Sequence, residues 1–258
     1  MARMFVTGSA DGLGLMAARS LLESGHEVVL HARNPRRADD TRKGLPAATA
    51  VVVGDLASLA QTRGVAEQAN RLGPFDAVIH NAGVGYQEPR LQTEDGLPHV
   101  FEVNVLSFYV LTALVQRPKR LVYMSSGMHR GADASLEDVG WTKRRWRGAA
   151  AYAESKLCDV LLAFAVARRW PGVFSNAVDP GWVPTRMGGP GAPDDLEDGY
   201  RTQVWLAVSD DPAALVSGKY FHHLRPKQPD PATHEVGRQE KLLEICRSLS
   251  GVALDAGS

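Results

Sequence analysis

Tyr152-Ala153-Glu154-Ser155-Lys156 sets a phenol and an ammonium four residues apart in a strongly helical stretch, so both side chains share one helix face. A phenol ordinarily keeps its proton to about pH 10. A neighbouring cation favours the phenolate and brings proton exchange with a substrate oxygen toward neutral pH. The pattern is common by chance, and its place gives it meaning: it follows an apolar run, residues 120–124, that ends in Ser125-Ser126. A second constellation, Thr7-Gly8-Ser9-Ala10-Asp11-Gly12-Leu13-Gly14, sits between a short apolar run and a helix-period segment. Glycines in such a turn let a pyrophosphate reach backbone N–H groups, and the helix N-terminus adds a partial positive charge. Tight turns need glycine for purely structural reasons too, but the strand–turn–helix setting favours a dinucleotide.

Around these groups the chain alternates extended and helical segments. Strands are expected at residues 4–6, 27–32, 50–54, 75–80, 120–124, 174–178 and 219–222. Helices are expected at 13–24, from Asn34-Pro35 onward, and at 58–72, 100–115, 151–169, 196–208 and 235–249. Nearly apolar strands separated by helices predict an α/β fold: one doubly wound Rossmann-type domain over residues 1–258, with about seven mainly parallel strands covered on both faces. The 258 residues, 44% hydrophobic and 22% charged, suit a globular chain. Twenty-nine basic residues balance 29 acidic ones, so no global field draws nucleic acid or an anionic membrane. Cys158 and Cys246 read as packing residues, without metal-ligand spacing. No secretory core opens the chain, and the longest apolar run, 160–167, falls far short of a membrane span. A cytoplasmic location is therefore expected.

Cofactor choice is written after the second strand, where an acidic residue would bind a free ribose 2′-hydroxyl and an arginine a 2′-phosphate. Here Arg33 follows the strand, Arg36 and Arg37 lie beyond, and the first acidic residue is Asp39. That favours NADP(H) over NAD(H).

Taken in order, Thr7-Gly8-x-x-x-Gly12-x-Gly14, Asp55-Leu56, Asn81-Ala82-Gly83, Asn104, Ser125-Ser126, Tyr152-x-x-x-Lys156 and Pro180-Gly181-x-x-x-Thr185 closely resemble the short-chain dehydrogenase/reductase family. The resemblance covers almost the whole chain. It implies cofactor contacts from Gly8, Ser9, Asp11, Gly12, Leu13 and Gly14, from Arg33, and from Asp55 and Leu56 near the adenine. It extends them to Asn81, Ala82 and Gly83 near the ribose, and to Pro180, Gly181, Val183 and Thr185 around the nicotinamide. It assigns Ser126 to the substrate carbonyl, Tyr152 to protonation and Lys156 to the ribose hydroxyls and the Tyr152 acidity. Asn104 would hold a water leading from Lys156 to solvent. No metal is expected.

Blander roles compete for several of these residues: Asn104 could bridge a helix break and Asp55 could cap a helix. His80 and His129 read as structural, and His222-His223, expected on opposite faces of a strand, as unable to share an ion. Residues 127–150 form a long insert between Ser126 and Tyr152 with Trp141, Trp146 and the basic residues Lys143, Arg144, Arg145 and Arg147, expected as a surface loop packed by its tryptophans. Its length, Ser125-Ser126-x-x-His129 and Ser217-Gly218-Lys219-Tyr220-Phe221 are similar to retinol-dehydrogenase-like and carbonyl-reductase-like members, implying NADPH-dependent reduction of hydrophobic carbonyls. Residues 186–199, rich in Gly and Pro, would be a short substrate lid. Family dimers pack the helix before Arg117-Pro118-Lys119 and the Tyr152 helix against their mates. A trimmed helix therefore implies a monomer or weak homodimer rather than a tetramer. The expected function is reduction of a ketone or aldehyde, with an NAD-linked alcohol dehydrogenase or a catalytically idle dinucleotide sensor as alternatives.

Overall fold

The computed structural model describes residues 1–255; residues 256–258, the end of the expected 1–258 unit, lie outside the described residues. Eight strands form one sheet in the order β3-β2-β1-β4-β5-β6-β7-β8. They are β1 (Arg3–Val6), β2 (Glu27–Ala32), β3 (Ala50–Val53), β4 (Ala77–His80), β5 (Arg120–Met124), β6 (Phe174–Asp179), β7 (Tyr220–His222) and β8 (Arg225–Lys227). Every neighbouring pair is parallel except β7 and β8. Alternate strand residues face opposite sides, which splits the core in two. Phe5, Val29, Val52 and Tyr123 pack under α3 (Leu59–Leu72), α5 (Ser107–Leu114), α6 (Gly148–Arg169) and α8 (Val236–Ser250). Met4, Val6, Leu30 and Ile79 pack under α1 (Gly12–Glu23), α2 (Pro35–Gly44) and α7 (Leu196–Val208).

Strand order reverses between β1 and β4, and this switch point opens the crevice above the strand ends. The helix expected over 100–115 is interrupted. A short α4 (His99–Phe101) runs into a π-helical turn, Glu102–Leu106, before α5 resumes. The extra residue in that turn re-aims Asn104. Beyond the expected strands lies β8, reached through His223 and Leu224, both at positive φ (47° and 64°). That geometry suits a two-residue hairpin turn but is usually announced by glycine or asparagine, so the sequence carried no sign of it. In the 127–150 segment Trp141 is buried edge-on to Trp146, with the Arg144 guanidinium 3.8 Å above the Trp141 ring.

Candidate active site

The glycine turn rises from the end of β1 and is braced by the segment after β4. The Thr7 hydroxyl accepts from Asn81 N (3.0 Å) and Ala82 N (3.1 Å), and Asn81 Nδ2 donates to Thr7 O (3.1 Å) and Gly8 O (3.3 Å). Gly8 has φ +62°, and a Cβ there would stand 2.6 Å from Ala82 Cα. A Cβ on Gly14 would meet Asn81 Nδ2 and lie 2.5 Å from Gly8 O. Neither position has room for a side chain, so the turn stays pressed against the β4 loop, and Gly12 opens α1 with nothing within 4 Å of where its Cβ would be.

Two groups beneath the turn hold it. The Ser9 hydroxyl, fully buried, donates to Val6 O (2.9 Å) and accepts from His31 N (2.8 Å), so it points into the fold. His31 Nδ1 accepts from Gly8 N (3.0 Å), while Nε2 faces Gly54 O at 2.8 Å and must carry the proton. Burial pushes its pKa down, consistent with a neutral ring. Sequence reasoning missed His31; the available sign was one polar residue within the otherwise apolar run 28–32. Asp11 pairs with Arg37, and Arg33 is exposed just past β2. Asp55 accepts from Ala57 N (3.0 Å) in the turn after β3, Leu56 is buried, and Ser58 is the residue that caps α3.

The second half of the site lies past β5. Ser125 is buried and donates to Lys156 O (2.8 Å), a strand-end contact; Ser126 Oγ accepts from Met128 N (3.3 Å). Tyr152 (7% exposed) and Lys156 (4%) occupy the first turns of α6 on one face. Lys156 Nζ donates to Met124 O (2.8 Å) and Asp159 Oδ2 (2.9 Å) and lies 5.7 Å from the centre of the Tyr152 ring. Asn104 bridges the π-helical break: Oδ1 accepts from Val84 N (2.8 Å), and Nδ2 donates to Val84 O (3.2 Å) and Ser155 Oγ (3.0 Å). Gly83 passes between, where a Cβ would be 3.5 Å from Asn104 Oδ1 and 3.8 Å from Lys156 Nζ.

After β6, Gly181 N donates to Asp179 Oδ1 (3.0 Å) beyond Pro180, Val183 is buried, and the Thr185 hydroxyl accepts from Gly188 N (3.2 Å). The following loop brings Met187 Sδ to 4.0 Å from the Tyr152 hydroxyl.

Burial pushes the Tyr152 phenol up, while the Lys156 ammonium and the nearby Ser126 hydroxyl pull it down; burial prevails. For Lys156, burial disfavours the ammonium, but Asp159 and Tyr152 outweigh it and raise the pKa. Burial lifts the Asp159 carboxyl to about 7. Asp159 also escaped sequence reasoning, although an acidic residue on the apolar face of α6, three positions past Lys156, was its sign. His129 is held between Ser126 O (2.8 Å) and Asp230 N (3.0 Å), and His80 faces the Thr112 hydroxyl at 3.1 Å. The expectation that His222 and His223 diverge is overturned. Their rings stack with centroids 3.8 Å apart because β7 ends at His222 and His223 turns to positive φ. Among the described residues no cluster of three metal-ligating side chains occurs, and no helix is long and apolar enough to cross a membrane.

A glycine cradle at the switch point and a Tyr–Lys helix beside it coincide with a sequence match: residues 2–195 fit the family model of the short chain dehydrogenases. The chain belongs to the short-chain dehydrogenase/reductase family. It is 45% identical over its whole length, and that of its relative, to an uncharacterized oxidoreductase of Emericella nidulans. Against human retinol dehydrogenase 13 it is 31% identical, covering 90% of this chain and 79% of the relative. Among solved structures, an uncharacterized protein from Mycobacterium paratuberculosis superposes with TM-score 0.84 at 25% identity, over 99% of this chain and 95% of that one. A blue fluorescent protein from a metagenomic library, in complex with NADPH, has the same fold (TM-score 0.69, 24% identity, 86% and 95% covered). This short-chain dehydrogenase/reductase is thus an NAD(P)-dependent oxidoreductase. Its cradle fits a dinucleotide: Gly8 and Gly14 press the turn onto the β4 loop, and Gly12 leaves bare backbone with open space before it at the N-terminus of α1, where a pyrophosphate would approach.

Proposed function

We propose that the protein is an NADPH-dependent reductase of hydrophobic ketones or aldehydes, in which Tyr152 is the general acid. The observation that carries this reading is the buried Tyr152 on one helix face with Lys156, with the Ser126 hydroxyl near the phenol, beside the glycine cradle. NADPH, when bound, supplies a hydride to the carbonyl carbon. The Tyr152 hydroxyl gives its proton to the carbonyl oxygen, and the Ser126 hydroxyl holds that oxygen as its charge develops. Lys156 binds the ribose hydroxyls and offsets part of the rise that burial imposes on the phenol. Gly8, Asp11, Gly12, Leu13 and Gly14 would receive the pyrophosphate and Asp55 the adenine side. Asn81, Ala82 and Gly83 would receive the ribose, and Pro180, Gly181, Val183 and Thr185 the nicotinamide. Arg33 would meet a 2′-phosphate.

A hydrophobic substrate is supported by Met128, Trp182 and Met187, all large apolar side chains left exposed (39%, 54% and 41%) on segments bordering Ser126, Gly181 and Tyr152. Isolated exposed apolar residues are ordinary, but three around one site mark a binding surface. Residues 186–199 form the lid in this reading, and 127–150 an insert alongside.

In this reading the protein is a monomer or a weak homodimer. Helix α8 lies on α6, burying Leu242, Leu243 and Cys246, and the chain after it is tied down by Tyr109 Oη to Val252 O and Trp170 Nε1 to Asp255 O, both 2.8 Å. That covers the face family dimers use. Light scattering should give the mass of one chain or of a pair that dissociates on dilution; a stable tetramer would contradict it.

The test of the function is NADPH consumption over aliphatic, aromatic, retinoid and polyketide-like carbonyls, with NADH in parallel. Turnover with NADPH on the more hydrophobic carbonyls is expected. A clear preference for NADH with alcohols would indicate an NAD-linked dehydrogenase. Tight cofactor binding without turnover across the panel would indicate a sensor.

A further inference from the structure

Asp159 has no part in the chemistry described so far, yet it is fully buried with Oδ2 on the Lys156 ammonium and Oδ1 without a hydrogen-bond partner. Taking a carboxylate and an ammonium out of water costs several kcal/mol per ion, and their attraction often does no more than offset this. Fold stability therefore gives little reason for an acid at this position. Its geometry suggests one. Tyr152, Lys156 and Asp159 follow one another along the same face of α6, with the ammonium between phenol and carboxylate. Lys156 has three N–H donors; one goes to Met124 O and one to Asp159. Above pH 7, where the Asp159 carboxyl is ionised and the phenol titrates, the ammonium–carboxylate pair carries no net charge, so Tyr152 faces a dipole rather than a full cation.

We propose that Asp159 is a positioning residue for Lys156. Its carboxylate draws the ammonium along the helix and neutralises it, so that the pair serves a tyrosine acid rather than a tyrosinate base. The inference rests on the reductase reading and sharpens it: the site is set for the carbonyl-reducing direction, which starts from a protonated phenol. Other ionisable groups around the cluster do not offset this. The Tyr123 phenol on β5 and the Cys158 thiol on α6 are pushed up by burial and stay neutral, and His80 on β4 is pushed down to about 3 and stays neutral. Asp179 at the end of β6 acts on Tyr152 in the same direction as Asp159.

The experiment is a tyrosinate absorbance titration of the NADP-bound protein, with the Tyr152→Phe titration subtracted so that only the Tyr152 phenol is read. It requires no substrate, so failure of the reductase reading and failure of this one remain separate. In Asp159→Asn the Tyr152 titration should move down by about one pH unit, as expected when a full cation within a few ångströms is uncovered. Asp159→Glu, which restores the charge, should return it toward the wild-type position. Where a carbonyl substrate is in hand, the alkaline limb of the reduction profile should move down with it. An unchanged titration in folded Asp159→Asn, or the same drop in Asp159→Glu, overturns the proposal. Should Asp159→Asn not fold, Asp159→Ser serves with the same expectation. The wild type is itself a test, because a Tyr152 already ionised at neutral pH contradicts the proposal outright.

Discussion

The two halves of the site treat their polar groups in opposite ways. Under the glycine turn nearly everything is closed: Ser9 and His31 both donate and accept within the fold, and Asn81 clamps Thr7 and Gly8. Across the crevice, Asp159 Oδ1 and the neighbouring His80 Nδ1 are buried without partners, and the Tyr152 hydroxyl has only a sulfur at 4.0 Å. Buried polar groups are normally satisfied, and exceptions need an explanation. The nucleotide floor is a finished scaffold that shapes a surface for phosphate, whereas the catalytic wall holds charge in reserve for chemistry. Errors in the first should cost folding and cofactor affinity together; errors in the second should cost turnover or pH response.

The largest expected effect on the floor is Gly14→Ala. With a Cβ driven into Asn81 and the Gly8 carbonyl, overpacking should cost about 2 kcal/mol of stability and weaken cofactor binding in the same protein. Denaturant unfolding and cofactor titration check both, and a variant that folds normally and binds normally would break the contrast.

On the other side, His80 is neutral in the fold. Burial holds its pKa at about 3, below the ordinary 6.5, so the unfolded chain takes up the proton first as pH falls. The associated stability is complete above about pH 6.5, shrinks steadily below it, and should be down by about 2 kcal/mol at pH 5. Comparing wild type with His80→Phe by denaturant unfolding at neutral pH and at that pH isolates this loss. Equal losses in both proteins would remove His80 from the account.

The smallest effect concerns Arg33. Exposed and free to reach solvent, it should contribute about tenfold to discrimination between NADPH and NADH. Arg33→Ala should erase that preference while leaving NADH affinity unchanged. An unaltered preference would move the choice of cofactor to another residue.

How much of this could be read beforehand follows the same division. The motifs at Gly8, Gly14, Asn81, Ser126, Tyr152 and Lys156 could be named from the sequence because each is a local pattern, in a turn after a strand or along one helix face, and α7 runs over the expected 196–208. His31 and Asp159 were not, because their meaning depends on partners brought in by folding: His31 reaches Gly8 and Gly54 only once β2 lies between β1 and β3, and Asp159 looks like any helix acid until burial is known. The π-helical turn at Asn104 hid behind ordinary helix periodicity. The start of α6 moved upstream to Gly148, since no capping residue marks it.

The central claim is that Tyr152 provides the proton and little else. NADPH consumption with a hydrophobic ketone, measured alongside cofactor affinity in wild type and Tyr152→Phe, tests it most directly. Turnover should fall by about 10³-fold with cofactor affinity unchanged. Turnover that survives the substitution, or that disappears only together with cofactor binding, would contradict it.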